Sequence, residues 1–229
     1  FYSIIPNTTD GLSPFGIEVV KKMNELAQIK DFEIDVVLDN LKKRRKIFHC
    51  ESDFKFELAQ EIKEGGADVR LEYFYAEENN KRKYLDILVI NKEKNECIPI
   101  ELKYKTNESK FEEKNEEYHL KEQGAKNNTC YYIYKDIERI EHIVLSNGKN
   151  FKFGKYDIVK GYVIFLTTCS SYKNRQIDGK ASNFNLSITD EEKKNKSEKN
   201  EINIEKGIRQ YDSKHEEINI KKEEHGFWS

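Results

Sequence analysis

From residue 83 to 103 the chain reads KYLDILVINKEKNECIPIELK, two apolar runs separated by a polar turn. The first run, 84–90, holds a single carboxylate, Asp86; the second, 97–104, holds Glu101 and Lys103. Both have the length and the Ile, Leu, Val and Tyr content of strands buried on both faces and joined as a hairpin. Side chains alternate along a strand, so Glu101 and Lys103 share a face. A charge inside such a strand is costly unless it is paired or holds a metal. Three charges on two neighbouring strands leave two readings: a functional site, or a structural ion pair of Lys103 with Glu101 or Asp86.

The flanking segments set an order of elements. Residues 15–46 carry a helical pattern broken near Asp31, with Ile17, Val20 and Met23 and then Val36, Leu38 and Leu41 as apolar positions. Its end, Lys42-Lys43-Arg44-Arg45-Lys46, reads as a basic last turn suited to the helix dipole or as a phosphate-contacting patch. Residues 51–63 follow as a helix, with Ser52 and Asp53 as caps and Phe54, Leu58 and Ile62 on one face. At about 100° per residue Glu51 falls towards that face and Glu57 well away from it. Glu51 is therefore the inward acid and Glu57 the solvent-facing one; the plain alternative for Glu51 is a first-turn acid favoured by the dipole.

Gly65-Gly66 ends that helix, and 69–75 alternates as a strand ahead of the hairpin. Residues 105–122 are highly charged, with Phe111, Tyr118 and Leu120 as anchors, and read as a flexible or surface-exposed insertion. A helix over roughly 125–146, with Ile133, Ile137, Ile140 and Val144 on one face, precedes an apolar strand at 158–168. Beyond Cys169 come a weak strand at 183–188, a low-complexity stretch at 190–201, and period-two segments at 202–204 and 218–220. These divide the chain into an N-terminal helical segment (1–46), a core (47–169) and a β-rich appendage with a mobile loop (170–229).

Charged residues make up 36% of the chain, yet the net charge is −2, so any nucleic-acid surface must be a local patch. Cys50, Cys97, Cys130 and Cys169 form no CxxC pair and lie at no zinc-ligand spacing from a histidine, which argues against structural zinc and for free thiols in a reducing compartment. No apolar run approaches the ~20 residues that span a bilayer, and no signal-peptide pattern is legible. The expectation is a cytoplasmic protein without a membrane partner.

The order helix, strand, strand, strand, helix, strand, with Asp86 on the second strand and Glu101-Leu102-Lys103 on the third, resembles the PD-(D/E)xK nuclease superfamily. Leu85 stands where that superfamily usually has proline. Phe48-His49-Cys50-Glu51-Ser52-Asp53-Phe54 with Leu58-Ala59 looks like uncharacterised bacterial proteins of this type. So does Gln123-Gly124-Ala125 with Tyr131, Lys135-Asp136 and Arg139-Ile140-Glu141. The resemblance covers about residues 47–170. It implies an α/β fold: a restriction-endonuclease-like αβββαβ core with a mixed four-stranded sheet flanked by helices, between the N-terminal helical segment and the C-terminal β appendage. It also implies a Mg²⁺-dependent nuclease, with Mn²⁺ able to substitute, acting as a DNA endonuclease in repair or defence.

On that resemblance Asp86 and Glu101 are metal ligands, together with the carbonyl of Leu102, and Glu51 supports a second metal or its water shell. Lys103, its pKa lowered beside a cation, orients or deprotonates the attacking water or stabilises the phosphate. Gln123 hydrogen-bonds Lys103 or the water, or is an ordinary residue at a helix start. The implied partner is nucleic acid, DNA ahead of RNA, and a homodimer is compatible with it. The competing expectation is a catalytically silent nuclease-fold module that binds nucleic acid or a protein partner.

Overall fold

A computed structural model describes residues 32–149 and 151–169, Tyr172, Phe184 and 216–219, and the backbone of strands at 199–203, 207–209, 218–220 and 224–228. The helical pattern around Ile17, Val20 and Met23, the strand expected at 183–188 apart from Phe184, and most of the 190–201 stretch lie outside the described residues.

Two helices, α1 (Ile34–Arg44) and α2 (Glu51–Glu64), precede three long strands, β1 (Asp68–Glu78), β2 (Lys81–Asn91) and β3 (Glu96–Lys105). β1, β2 and β3 pair antiparallel in that order. Next come β4 (Ser109–Glu113), β5 (Glu116–Leu120) and α3 (Lys126–Leu145). Then β6 (Asp157–Ile158) and β7 (Tyr162–Thr167) both pair parallel to β3, end to end along its free edge. A parallel return needs a crossover, and α3 supplies it. The result is a mixed sheet flanked by helices, with five strands rather than the expected four because the last apolar stretch is split into β6 and β7.

The sheet is buried on both sides, which explains the near-continuous apolar runs. On one side Phe54, Leu58 and Ile62 of α2, with Ile34 and Leu41 of α1, pack against Ile87, Val89, Ile98, Ile100, Leu102 and Tyr104. On the other, Ile140 and Ile143 of α3 pack with Leu88, Ile90, Cys97 and Ile158. Along β3, alternate residues thus face α2 and α3. The 97–104 run is committed to two partners at once.

The charged 105–122 stretch is not an unstructured insertion. It forms the β4–β5 hairpin, with Phe111 stacked on Tyr118 at 5.3 Å and a turn in which Lys114 and Asn115 take positive φ. At the start of α2 the N-cap is Cys50, without a side-chain cap; Asp53 instead accepts the His49 N–H through Oδ2 at 2.8 Å. Glu57 does not face open solvent but pairs with Arg44 and Arg45 at the end of α1. In the appendage β8 (Lys199–Asn203) pairs with β11 (Glu224–Trp228), and β9 (Gly207–Arg209) with β10 (Ile218–Ile220). Ile218 is fully buried with Tyr131, Tyr134 and Phe184 against α3. Among the described residues no helix is long and apolar enough to cross a membrane, and the four cysteines are free thiols.

The apolar strand expected at 158–168 is divided by Gly161, and this residue sets how closely α3 approaches the sheet. A Cβ there would lie 2.6 Å from Ile140 Cγ2, 3.1 Å from Val144 Cγ2 and 3.3 Å from Pro99 Cγ. Gly161→Ala should therefore push α3 outward and lower stability by roughly 1–3 kcal/mol, the usual range for overpacking. A denaturant midpoint equal to wild type would show that the helix does not rest on that glycine.

Candidate active site

The β2–β3 ladder runs from Asn91↔Glu96 to Ile87↔Ile100 and stops there, although both strands continue. Past that point two β3 amides find side-chain acceptors. Leu102 N–H donates to Asp86 Oδ2 at 2.8 Å, and Tyr104 N–H donates to Glu51 Oε2 at 2.8 Å. Glu51 is therefore inward, as the helical phase of α2 predicts. The Tyr104 hydroxyl donates to the Phe48 carbonyl at 2.9 Å and fixes the segment leading into α2.

Asp86 and Glu101 follow directly on the last ladder pair, Ile87↔Ile100, and their carboxyl groups lie near enough to influence each other's charge. Glu101 is 3% exposed; its Oε2 accepts from Arg139 Nη2 at 2.7 Å, while its buried Oε1 has no hydrogen-bond partner. Burial pushes the Glu101 carboxyl up to about 9; Asp136 and Asp86 add to the rise, and Arg139 and Lys103 offset only part of it. Asp86 moves the other way. Burial acts to raise it, but the hydrogen bonds from Lys55 and the Leu102 amide outweigh that and hold it below the usual carboxylate range. Lys55 Nζ lies 2.9 Å from Asp86 Oδ1 and also bonds Glu72.

Glu101 and Lys103 face α3 together, and the helix meets them with two residues one turn apart. Asp136 binds Lys103 Nζ through Oδ2 at 2.7 Å and Arg139 Nη2 through Oδ1 at 2.6 Å. Lys103 also donates to the Leu102 carbonyl at 3.2 Å. Burial acts to lower the Lys103 pKa, but Asp136, then Glu101 and Glu51, outweigh it and the net shift is upward. In the metal-free chain its ammonium is therefore held charged; the lowered pKa expected for Lys103 concerns the site with a cation bound beside it.

Gln123 lies three residues ahead of α3, where its amide donates to the Thr106 carbonyl at 3.2 Å. Asp136 occupies the place beside Lys103 that the sequence offered to Gln123. The structure brings Asp86, Glu101 and Lys103 into one cluster and keeps Glu51 on the Tyr104 amide. Among the described residues no three His, Cys, Asp or Glu side chains gather to hold a metal, so the acids meet as a pair.

Lys55, Asp136 and Arg139 are members of the cluster that the strand pattern did not name. Their signal was a charge on each of two helices that the apolar pattern turns towards the sheet. A cleft of about 580 Å³ opens on Arg139, lined also by Tyr75, Lys83, Lys135 and His142. The basic end of α1 is turned to structural use: Arg44 binds Glu57 and Glu61, and Arg45 binds Asp53, Glu57 and Glu116. No family pattern, curated protein or solved structure matches the chain.

The Glu101 shift has a direct consequence for stability. The folded chain holds this proton up to about pH 9, whereas an ordinary glutamate releases it near 4.5. Between those values the folded state carries the extra proton, so its stability falls as pH rises. Metal-free protein should lose up to about 1.4 kcal/mol per pH unit within that window. Glu101→Gln, which mimics the protonated group, should flatten the profile. Denaturant titrations across the window check this, and a flat wild-type profile would contradict it.

Proposed function

We propose that the chain is a Mg²⁺-dependent nuclease that hydrolyses phosphodiester bonds, with DNA ahead of RNA as substrate. The observation that carries this reading is the Asp86–Glu101 pair, two neighbouring carboxyl groups just past the end of the β2–β3 ladder, one with a buried oxygen that has no hydrogen-bond partner. The donor set fits Mg²⁺, which is held by one or two carboxylates and fills its remaining positions with water and phosphate. It also fits electrostatically, because a divalent cation relieves the repulsion that a shared proton otherwise relieves. The order of elements, and the place of Asp86 on β2 and Glu101-Leu102-Lys103 on β3, support the same reading through the resemblance to PD-(D/E)xK nucleases.

Asp86 and Glu101 would hold the cation. When bound, Mg²⁺ supplies a water of lowered pKa and offsets the charge that builds on the phosphate. Lys103, held against Asp136, orients or deprotonates the attacking water or holds a non-bridging phosphate oxygen. Arg139 fixes the Glu101 carboxyl from the cleft side, and Asp136 sets both cations in place. Glu51 keeps β3 in position through the Tyr104 amide.

The ion pairing favours a second reading. Lys55, Lys103 and Arg139 each have acidic partners, and Asp86 and Glu51 each satisfy a β3 amide. A network retained for the fold has these features, and a catalytically silent module that binds nucleic acid or a protein partner is consistent with it.

Incubation of plasmid DNA and of RNA with Mg²⁺, Mn²⁺ or EDTA separates the two. The nuclease reading expects metal-dependent cleavage that falls by roughly 10²–10⁴ in Lys103→Ala, the range for losing an acid–base contributor. It also expects Mg²⁺ to raise the melting temperature of wild type but not of Glu101→Gln or Asp86→Asn, since a ligand stabilises only the state that binds it. Nucleic-acid binding without cutting under every metal would establish the silent module instead.

A further inference from the structure

We infer that Lys55 is the phosphate-binding cation on the α2 side of this site, and that Glu72 is a positioning residue that holds it there. The inference rests on the nuclease reading and adds a substrate contact to it.

The register of β1 and β2 is irregular at two places, a shift between Phe74 and Ala76 and a gap at Glu72. Leu71 pairs with Ile87 and Tyr73 with Leu85, while Glu72 and Asp86 between them make no ladder pair. Glu72 takes φ +48 there, inside a strand. The other described non-glycine residues with positive φ sit in turns or at helix ends. A glutamate in the left-handed region is strained and persists only where its surroundings hold it. Its side chain there meets Lys55, whose ammonium is bound by Glu72 and by Asp86 Oδ1.

The position of this ammonium is what gives it a role. It touches Asp86, the neighbour of Glu101, and its side chain is only 14% exposed. Lys103 and Arg139 approach the carboxyl pair from α3, whereas Lys55 approaches from α2. An ammonium has three N–H donors. Two are taken by Glu72 and Asp86, which leaves the third for a phosphate oxygen. Phosphoryl chemistry rewards cations preset where charge develops. At the basic end of α1, Arg44 and Arg45 are already bound to acidic side chains.

Four variants test the assignment: Lys55→Ala, Lys55→Arg, Glu72→Gln and Glu72→Gly. Each is measured by melting temperature, by kcat and KM for DNA cleavage with Mg²⁺, and by line broadening of inorganic phosphate in ³¹P spectra. Lys55→Ala should lower kcat by about 10²–10³, the range for losing one charge-stabilising donor, and weaken phosphate binding at least about tenfold. Lys55→Arg should restore part of both.

Glu72→Gly removes the carboxylate and also the strain, since glycine accepts positive φ freely. It should melt no lower than wild type and still lose about tenfold in kcat. Glu72→Gln, which keeps the strain, should show the same kinetic loss. A folded Lys55→Ala protein with wild-type kcat and phosphate affinity overturns the role of Lys55. Glu72 variants with altered melting but wild-type kinetics overturn the positioning role and leave a stability ion pair. If the wild-type protein cuts nothing, the nuclease reading fails on its own account. The phosphate titration then still decides for Lys55: binding lost in Lys55→Ala keeps the contact, and unchanged binding removes it.

Discussion

The divergence of β2 and β3 past Ile87 and Ile100 governs everything built around the carboxyl pair. A buried strand that loses its neighbour must find other acceptors for its amides, because an unpaired buried N–H costs as much as a lost hydrogen bond. β3 finds them in Asp86 and Glu51. Both acids are thereby drawn into an apolar interior that would otherwise exclude them, and their positions are fixed by backbone atoms. The same divergence leaves Glu101 near Asp86 just past the last ladder pair. Fold and site share one cause.

Charge then propagates from the strands to the helices. An acid pair in a low-dielectric interior draws cations from whichever elements pack nearby, and here it draws one from each face of the sheet. On the α3 side Arg139 binds both Glu101 and Asp136, and Asp136 in turn binds Lys103. The contribution of such buried pairs to net stability is small, because desolvation consumes most of the attraction. Their effect is on placement: four side chains are held against one another by short contacts between a strand and a helix. That placement depends on the close approach permitted at Gly161, between β6 and β7, where helix α3 lies against the main chain.

Much of this was legible in the chain. The period of two places Glu101 and Lys103 on one face, and the structure turns that face to α3. The phase of α2 sends Glu51 inward because the helix has one apolar stripe, and the stripe at Phe54, Leu58 and Ile62 fixes its rotation. What stayed hidden depended on tertiary distance. Asp136 and Arg139 lie more than thirty residues beyond Lys103, and their meeting with it requires the docked helix. The upward shift at Lys103 in the metal-free chain follows from Asp136, which no strand pattern places beside it. The β4–β5 hairpin was hidden for another reason: charged residues dilute the alternation of Phe111 and Tyr118, and a lysine at a left-handed turn position carries no turn signature. The strand divergence leaves no mark on composition at all.

The hairpin also says something about how this scaffold tolerates change. Where it leaves the body, Thr106 Oγ1 donates to the Lys121 carbonyl at 2.7 Å and the Gln123 amide donates to the Thr106 carbonyl at 3.2 Å. The two stems are latched to each other before the strands of the hairpin begin. The tip is docked as well: Lys114 Nζ donates to the Arg44 carbonyl at 2.9 Å, and Glu116 binds Arg45 and His49. Chain added at the Lys114-Asn115 turn therefore lengthens an arm whose base is already closed, at an entropic penalty that grows only slowly, but it disturbs the contacts to the end of α1. The hairpin is a graft point braced at two places, by its own stems and by the helix it leans on.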